Sequence, residues 1–223
     1  MHSPNHDSGK NLERTVQGGG GGGGGAVQSL ARIPRPERLL AARDLTLARV
    51  IASQPFRWSS EPTEDPIWGL IRIVMAQQIS TGVACRLAER VGSAYPMLVT
   101  PSSAAVLDSA SLRAFGLSER RAQCCIEVVR RSDEIRASVL HGRTCEEALA
   151  GIKGIGPWTI AVFRIMVLRE PDVLPLGDVG LQRAIENIYG KPYDVERRAE
   201  KWRPFRSVAC WYLWRTLGNE QLG

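Results

Sequence analysis

The sequence predicts an all-α fold, and three observations lead there. Apolar residues recur at helical spacing from Pro36 to the C-terminus. N-cap residues and a first-turn proline stand ahead of several of those runs. The few strand-like runs are short and lack apolar–polar alternation.

Taken in order, residues 1–33 are expected to be a disordered, glycine-rich tail. Gly18–Gly25 is an unbroken run of eight glycines behind a polar segment, and such a composition buries too little apolar surface to offset chain entropy. The folded domain is placed at residues 34–223, opening at Pro34 and Pro36. Residues 37–53 carry Leu39, Leu40, Leu47, Val50 and Ile51 and read as one helix. Asp65-Pro66 supplies an N-cap and a first-turn proline for a helix through Ile67, Leu70, Ile71, Val74 and Met75. Ser80 restarts a helix through Val83, Leu87 and Val91. Segments 102–110, 112–115 and 118–131 follow, with Ser118 as a cap. Thr144-x-x-Glu147 matches a capping box ahead of Ala148 and Leu149. Residues 146–152 and 157–168 read as two short helices, and 179–188 forms a further one.

Bulk properties narrow the function. With 223 residues, 43% apolar and 23% charged, the chain can bury a real core. Its net charge of +6 suits a polyanionic partner without requiring one. No apolar run is long enough for a membrane span, and the polar first residues do not resemble a signal peptide. Five cysteines, an odd number with no C-x-x-C pair, read as reduced thiols of an intracellular protein. His2, His6 and His141 lack metal-ligand spacing, so no transition metal is expected.

Two features carry chemistry. Lys153-Gly154-Ile155-Gly156 joins two helical runs, and its glycines can take angles closed to other residues and let a foreign backbone approach. Pro157 suits the first turn of the next helix, while Ile152 and Ile155 would pin the turn to the core. Amides at such a turn can donate to phosphate oxygens without reading a base; a plain helical corner would need the same glycines for its geometry. Asp178, ahead of an apolar-periodic run, reads first as a helix N-cap and otherwise as a carboxylate that could face a developing cation.

L-x-G-I-x-G-I-G-P-W-T, followed by Asp178 in L-P-L-G-D-V-G-L, resembles the helix-hairpin-helix superfamily of base-excision DNA glycosylases. Its nearest likeness is the branch of 3-methyladenine DNA glycosylase II. Met75-Ala76-Gln77-Gln78-Ile79-Ser80, Phe115-Gly116-Leu117-Ser118, Trp202-Arg203-Pro204-Phe205-Arg206-Ser207 and Trp211-Tyr212-Leu213-Trp214 agree in order and spacing. The likeness covers residues 55–217. It implies the compact form of that fold, with two helical subdomains flanking a cleft and no large N-terminal sheet domain.

The resemblance also implies roles. Asp178 matches the catalytic aspartate. Trp158 and Trp214 match aromatic walls of the base pocket, where stacking and cation–π attraction suit a cationic alkylpurine; core packing is the competing reading, and it is the one taken for Trp68, Trp202 and Trp211. A further aromatic of the family falls at Val162, beside Phe163. Gln78 matches the residue that fills the gap left by an everted base, or it simply closes the turn before Ser80. Gly154, Ile155 and Gly156 would grip the DNA backbone. Arg120 and Arg121 are candidates for phosphate contacts or for a solvated helix face. The carbonyls of Ala150, Ile152 and Ile155 would hold a monovalent cation, Na+ or K+, and no other cofactor is implied.

Relatives that also nick the strand carry a Schiff-base lysine where this chain has Trp158. The cysteine cluster of the iron–sulfur branch is missing as well. The implied activity is thus a monofunctional glycosylase that removes 3-methyladenine or 7-methylguanine from double-stranded DNA and leaves an abasic site. It would act as a monomer without membrane contact, in bacterial cytoplasm or a eukaryotic nucleus. Two alternatives stand beside it: a glycosylase for another damaged base, and a non-catalytic hairpin module that holds DNA. The second has no need of Asp178 or of the tryptophan walls.

Overall fold

The computed structural model describes residues 35–218 except 63, 97–98, 101, 104–106, 141–144 and 192–193. The expected tail at 1–33, Pro34, His141 and the Thr144 end of the capping box lie outside the described residues. Among the described residues there is no strand, and no helix is long and apolar enough to cross a membrane.

The elements run α1 Arg35–Arg43, α2 Leu45–Ser53, α3 Pro66–Ala76, α4 Thr81–Ala94, α5 Ser109–Ala114, α6 Glu119–Arg130 and α7 Ser132–Leu140. Then come α8 Cys145–Leu149, α9 Pro157–Met166, α10 Val179–Tyr189, α11 Val195–Ala199, a 3-10 turn at Glu200–Trp202 and α12 Arg206–Arg215. The helix expected over 37–53 is two helices. Asp44 ends the first and caps the second, accepting from the amides of Thr46 and Leu47, so a side chain competes with the backbone ladder and breaks it. Of the segments expected over 102–110 and 112–115, residues 104–106 lie outside the described residues, and Ser109–Ala114 forms the single helix α5, capped by Asp108. Periodicity assigns no separate helix to α7 or α11; α11 has only five residues.

α3 is the central element. Ile67, Leu70, Ile71, Val74 and Met75 are all buried, and the helix packs on α4, α6 and α9. Asp65 caps it through Ile67 and Trp68, with Pro66 in its first turn. Gly69 has no room for more, since an added Cβ would lie 2.5 Å from a Val167 methyl. α12 packs on α10, α2 and α9 and is buried nearly all round, from Ser207 to Leu213. Tyr212 donates its hydroxyl hydrogen to the buried Glu37 carboxylate at 2.9 Å, which ties α12 to α1.

Asp44 is a second fastening point. Beyond the α2 amides, its Oδ2 accepts from Trp202 Nε1 at 3.1 Å and from the Tyr189 hydroxyl at 3.0 Å. The Arg198 guanidinium lies 3.6 Å away. Burial alone would raise this carboxyl, but the hydrogen bonds and Arg198 outweigh it and hold it below the ordinary aspartate value of 3.8.

Asp44→Asn keeps one acceptor oxygen but turns an NH2 towards the Trp202 and Tyr189 donors. The variant should lose about 3 kcal/mol in chemical denaturation at neutral pH. Because the folded-state value is depressed, the wild-type contribution is complete above pH 3.8 and declines as pH falls below it. The stability difference between the two proteins should therefore shrink in acid.

Candidate active site

The hairpin follows from local chemistry. Gly154 has φ +104°, a region closed to side chains, and an added Cβ would meet the Cys124 sulfur at 3.1 Å. Gly156 differs from expectation: its φ is −116°, open to any residue, and its Cβ position meets nothing within 4 Å. What Gly156 provides is bare backbone at the start of α9. Ile152 is buried and Ile155 half-buried, packed on the core, as the sequence predicted. The Ile155 amide closes the turn on the Ile152 carbonyl at 3.0 Å. Among the described residues, the amides of Gly154 and Gly156 meet no protein acceptor.

The three carbonyls expected to hold a monovalent cation are unequal. That of Ala150 accepts from Arg131 Nη1 at 3.0 Å, and that of Ile152 accepts the Ile155 amide. A guanidinium on one of three carbonyls adds positive charge where a second cation would sit, so these residues fit such an ion poorly.

Asp178 caps a helix, as one of its two readings expects, and it also lines a cavity. It is the N-cap of α10, accepting at Oδ1 from the Leu181 amide, and it faces a cavity of about 750 Å³ bounded by α3, α4, α9, α10 and α12. Trp158 Nε1 donates to Oδ2 at 2.6 Å and Trp214 Nε1 donates to Oδ1 at 2.9 Å. A carboxylate offers about four lone-pair directions. Oδ1 receives two donors and Oδ2 one, so the open direction belongs to Oδ2. Gly180 makes room, because an added Cβ there would lie 3.2 Å from Oδ1.

The tryptophans therefore do more than pack. Trp158 and Trp214 are half-buried, line the cavity and orient the acid. Trp202 is core, as read from the sequence, and Trp68 packs partly buried against the core. Trp211 is buried too, but it also lines the cavity, so the core reading of it was incomplete. Val162 lines the cavity, whereas Phe163 is fully buried and offers the cavity no ring.

Gln78 sits exposed at the cavity rim with φ +59°, a left-handed position uncommon for a residue other than glycine. The motif gives its neighbour Gln77 no role of its own. Gln77 Nε2 donates to the Gly154 carbonyl and to Thr159 Oγ1, both at 3.0 Å, and so joins the end of α3 to the hairpin. Arg121 differs from the expected phosphate contact. Its Nη1 donates to the carbonyls of Met75 at 2.9 Å and Gln77 at 3.3 Å, bracing the same turn. Arg120 is exposed on the cavity wall. Cys210 is fully buried, and burial together with the Asp178 charge pushes its thiol well above the usual range, so it offers no nucleophile. Among the described residues no lysine lines the cavity, and Lys153 is exposed on the hairpin.

Residues 71–204 match the HhH-GPD superfamily of base excision DNA repair proteins. The chain belongs to that superfamily. DNA-3-methyladenine glycosylase 1 of Schizosaccharomyces pombe is 30% identical over 69% of this chain and 73% of its own length. DNA-3-methyladenine glycosylase 2 of Escherichia coli is 27% identical over 66% of this chain, which spans 56% of that relative. Among solved structures, the Schizosaccharomyces pombe 3-methyladenine DNA glycosylase in complex with abasic DNA superposes with TM-score 0.70 at 26% identity. That match covers 83% of this chain and 97% of the other. A DNA-3-methyladenine glycosidase from Bacillus halodurans gives TM-score 0.62 at 28% identity, covering 85% and 94%.

Gly154→Ala should cost about 2 kcal/mol in denaturant unfolding, from the forced backbone angle and the contact with Cys124. Gly156→Ala should cost less than about 1 kcal/mol. Equal losses would contradict the different tasks given to the two glycines.

Proposed function

We propose that this chain is a monofunctional DNA glycosylase that hydrolyses the N-glycosidic bond of alkylated purines, 3-methyladenine and 7-methylguanine, in double-stranded DNA. The carrying observation is the Asp178 carboxylate, oriented by the indoles of Trp158 and Trp214 at the wall of a cavity large enough for a base. The names borne by the relatives supply the substrate class.

The proposed chemistry uses this chain's own groups. The duplex everts the damaged nucleotide, whose base stacks against Trp158 and Trp214. The bond from C1′ to the purine nitrogen breaks, and its electron pair neutralises the charge of the alkylated ring. The oxocarbenium character left on the sugar faces Asp178. Water oxygen bonds to C1′, and its proton passes to Oδ2, the carboxylate oxygen with an open lone-pair direction. The products are a free alkylpurine and a hydroxylated abasic sugar. A Schiff base to the sugar needs an amine, and among the described residues the cavity wall presents none. The amides of Gly154 and Gly156, at the N-terminus of α9, meet a DNA phosphate. Arg120 meets another, while Gln78 enters the space vacated in the stack. We assign the protein to act as a monomer, with no cofactor.

Asp178→Asn should lower base release from methylated duplex DNA by about 10²–10³-fold. Its affinity for a duplex carrying a stable abasic-site analogue should stay within about threefold. Normal release by this variant would place the acid elsewhere. The wild-type product should also survive as an intact strand until alkali is added, and strand scission without alkali would overturn the monofunctional assignment.

A further inference from the structure

We infer that Leu176 and Val179 form an apolar lip beside Asp178 that packs on the nucleotide next to the everted one, with Arg183 meeting the adjoining phosphate. The inference rests on the glycosylase reading above and names how the mouth of that same cavity holds DNA.

Among the described residues, the exposed large apolar side chains are Leu45, Phe56, Val83, Leu140, Leu176 and Val179. The last two stand on either side of Asp178, within two residues of it. Val179 lines the cavity and is nonetheless 77% exposed, so it stands where the cavity opens to solvent. Leu176 is 54% exposed, and the turn that carries it is fixed. Pro175 is buried, the Leu176 amide donates to the Leu174 carbonyl at 3.0 Å, and the Asp178 amide donates to the Pro175 carbonyl at 3.1 Å. Gly177, with φ +76°, completes the turn. Arg183 lies one turn beyond Val179 on the same face of α10. It is exposed, and among the described residues it makes no ion pair. The nearby Glu186 carboxylate is held instead by Lys191 at 2.8 Å.

Single exposed apolar side chains are ordinary on any protein. These two are set apart by place, since they bracket the acid at the cavity mouth. In the glycosylase reading Asp178 faces the sugar of the everted nucleotide, so its chain neighbours at the mouth face the nucleotide beside that sugar. Aliphatic side chains gain nothing from phosphate oxygens. They gain from deoxyribose and from the faces of bases, which a wedge of this kind partly unstacks. The hydrogen-bonded turn already holds Leu176 outward, so little ordering is needed when DNA arrives. Arg183 supplies the charge that the backbone beside such a contact calls for. A protein partner seated on this lip would lie across the opening and shut the cavity to DNA.

The test is equilibrium binding of the full chain to a duplex carrying a stable abasic-site analogue, measured over a series of salt concentrations. All three side chains are exposed, so Leu176→Ser, Val179→Ser, their double variant and Arg183→Gln should keep the wild-type denaturation midpoint. Leu176→Ser should weaken binding about tenfold and Val179→Ser about fivefold, both with the wild-type salt slope, because an aliphatic contact releases no counterions. Arg183→Gln should flatten the slope of log affinity against log salt by about one. Equal affinities for wild type and the double variant would overturn the inference, assign the lip to a protein contact and leave the glycosylase reading standing. A wild type that binds the abasic-analogue duplex no better than an undamaged one, and releases no base, would overturn the glycosylase reading and this inference with it.

Discussion

The candidate site depends on one constraint, the immobilisation of the Asp178 carboxylate. Three donors from three elements converge on it: the first turn of α10, Trp158 on α9 and Trp214 on α12. Each donor is itself placed by packing. α9 sits against α3, and α12 packs on both α9 and α10. The position of one acid thus records the arrangement of the helical core, and a shift of any of the three helices moves it. A group that must face a developing charge gains from being fixed beforehand, because no reorganisation is then needed during the reaction.

The fold and much of the site were legible in the sequence. Asp65-Pro66 and Ser118 mark helix starts by local rules, and both hold in space. Asp178 stands before an apolar-periodic run, so its capping role could be read directly, and the motif around it pointed to the family. The break at Asp44 was not legible. Leu39, Leu40, Leu47, Val50 and Ile51 keep helical phase across it, and only the side chain's bonds to Thr46 and Leu47 reveal the interruption.

Long-range polar pairings were also hidden. Nothing near Arg121 in sequence says that its guanidinium reaches the carbonyls of Met75 and Gln77, and nothing near Arg131 names Ala150. Such partners are set by how helices cross, which a periodic pattern does not encode. The same holds for Trp211 and Arg215. In the run Trp211-Tyr212-Leu213-Trp214-Arg215, Trp211 reads as packing, and a basic residue in a helix's last turn reads as a favourable dipole contact. In space the Arg215 guanidinium lies over the rings of Phe56 and Trp211.

The link from Gln77 to the hairpin has a mechanical meaning. Its contacts with Gly154 and Thr159 fasten the loop bearing Gln78 to the glycine corner. The spacing between the part that would hold a strand and the part that would probe the stack is thereby set before any nucleic acid arrives. Under the proposed function, a duplex, being the softer partner, would have to bend to satisfy both at once. Steps that kink easily, as at mismatched or weakly stacked pairs, would yield most readily, and the search for damage would begin as a test of stiffness before any ring is seen.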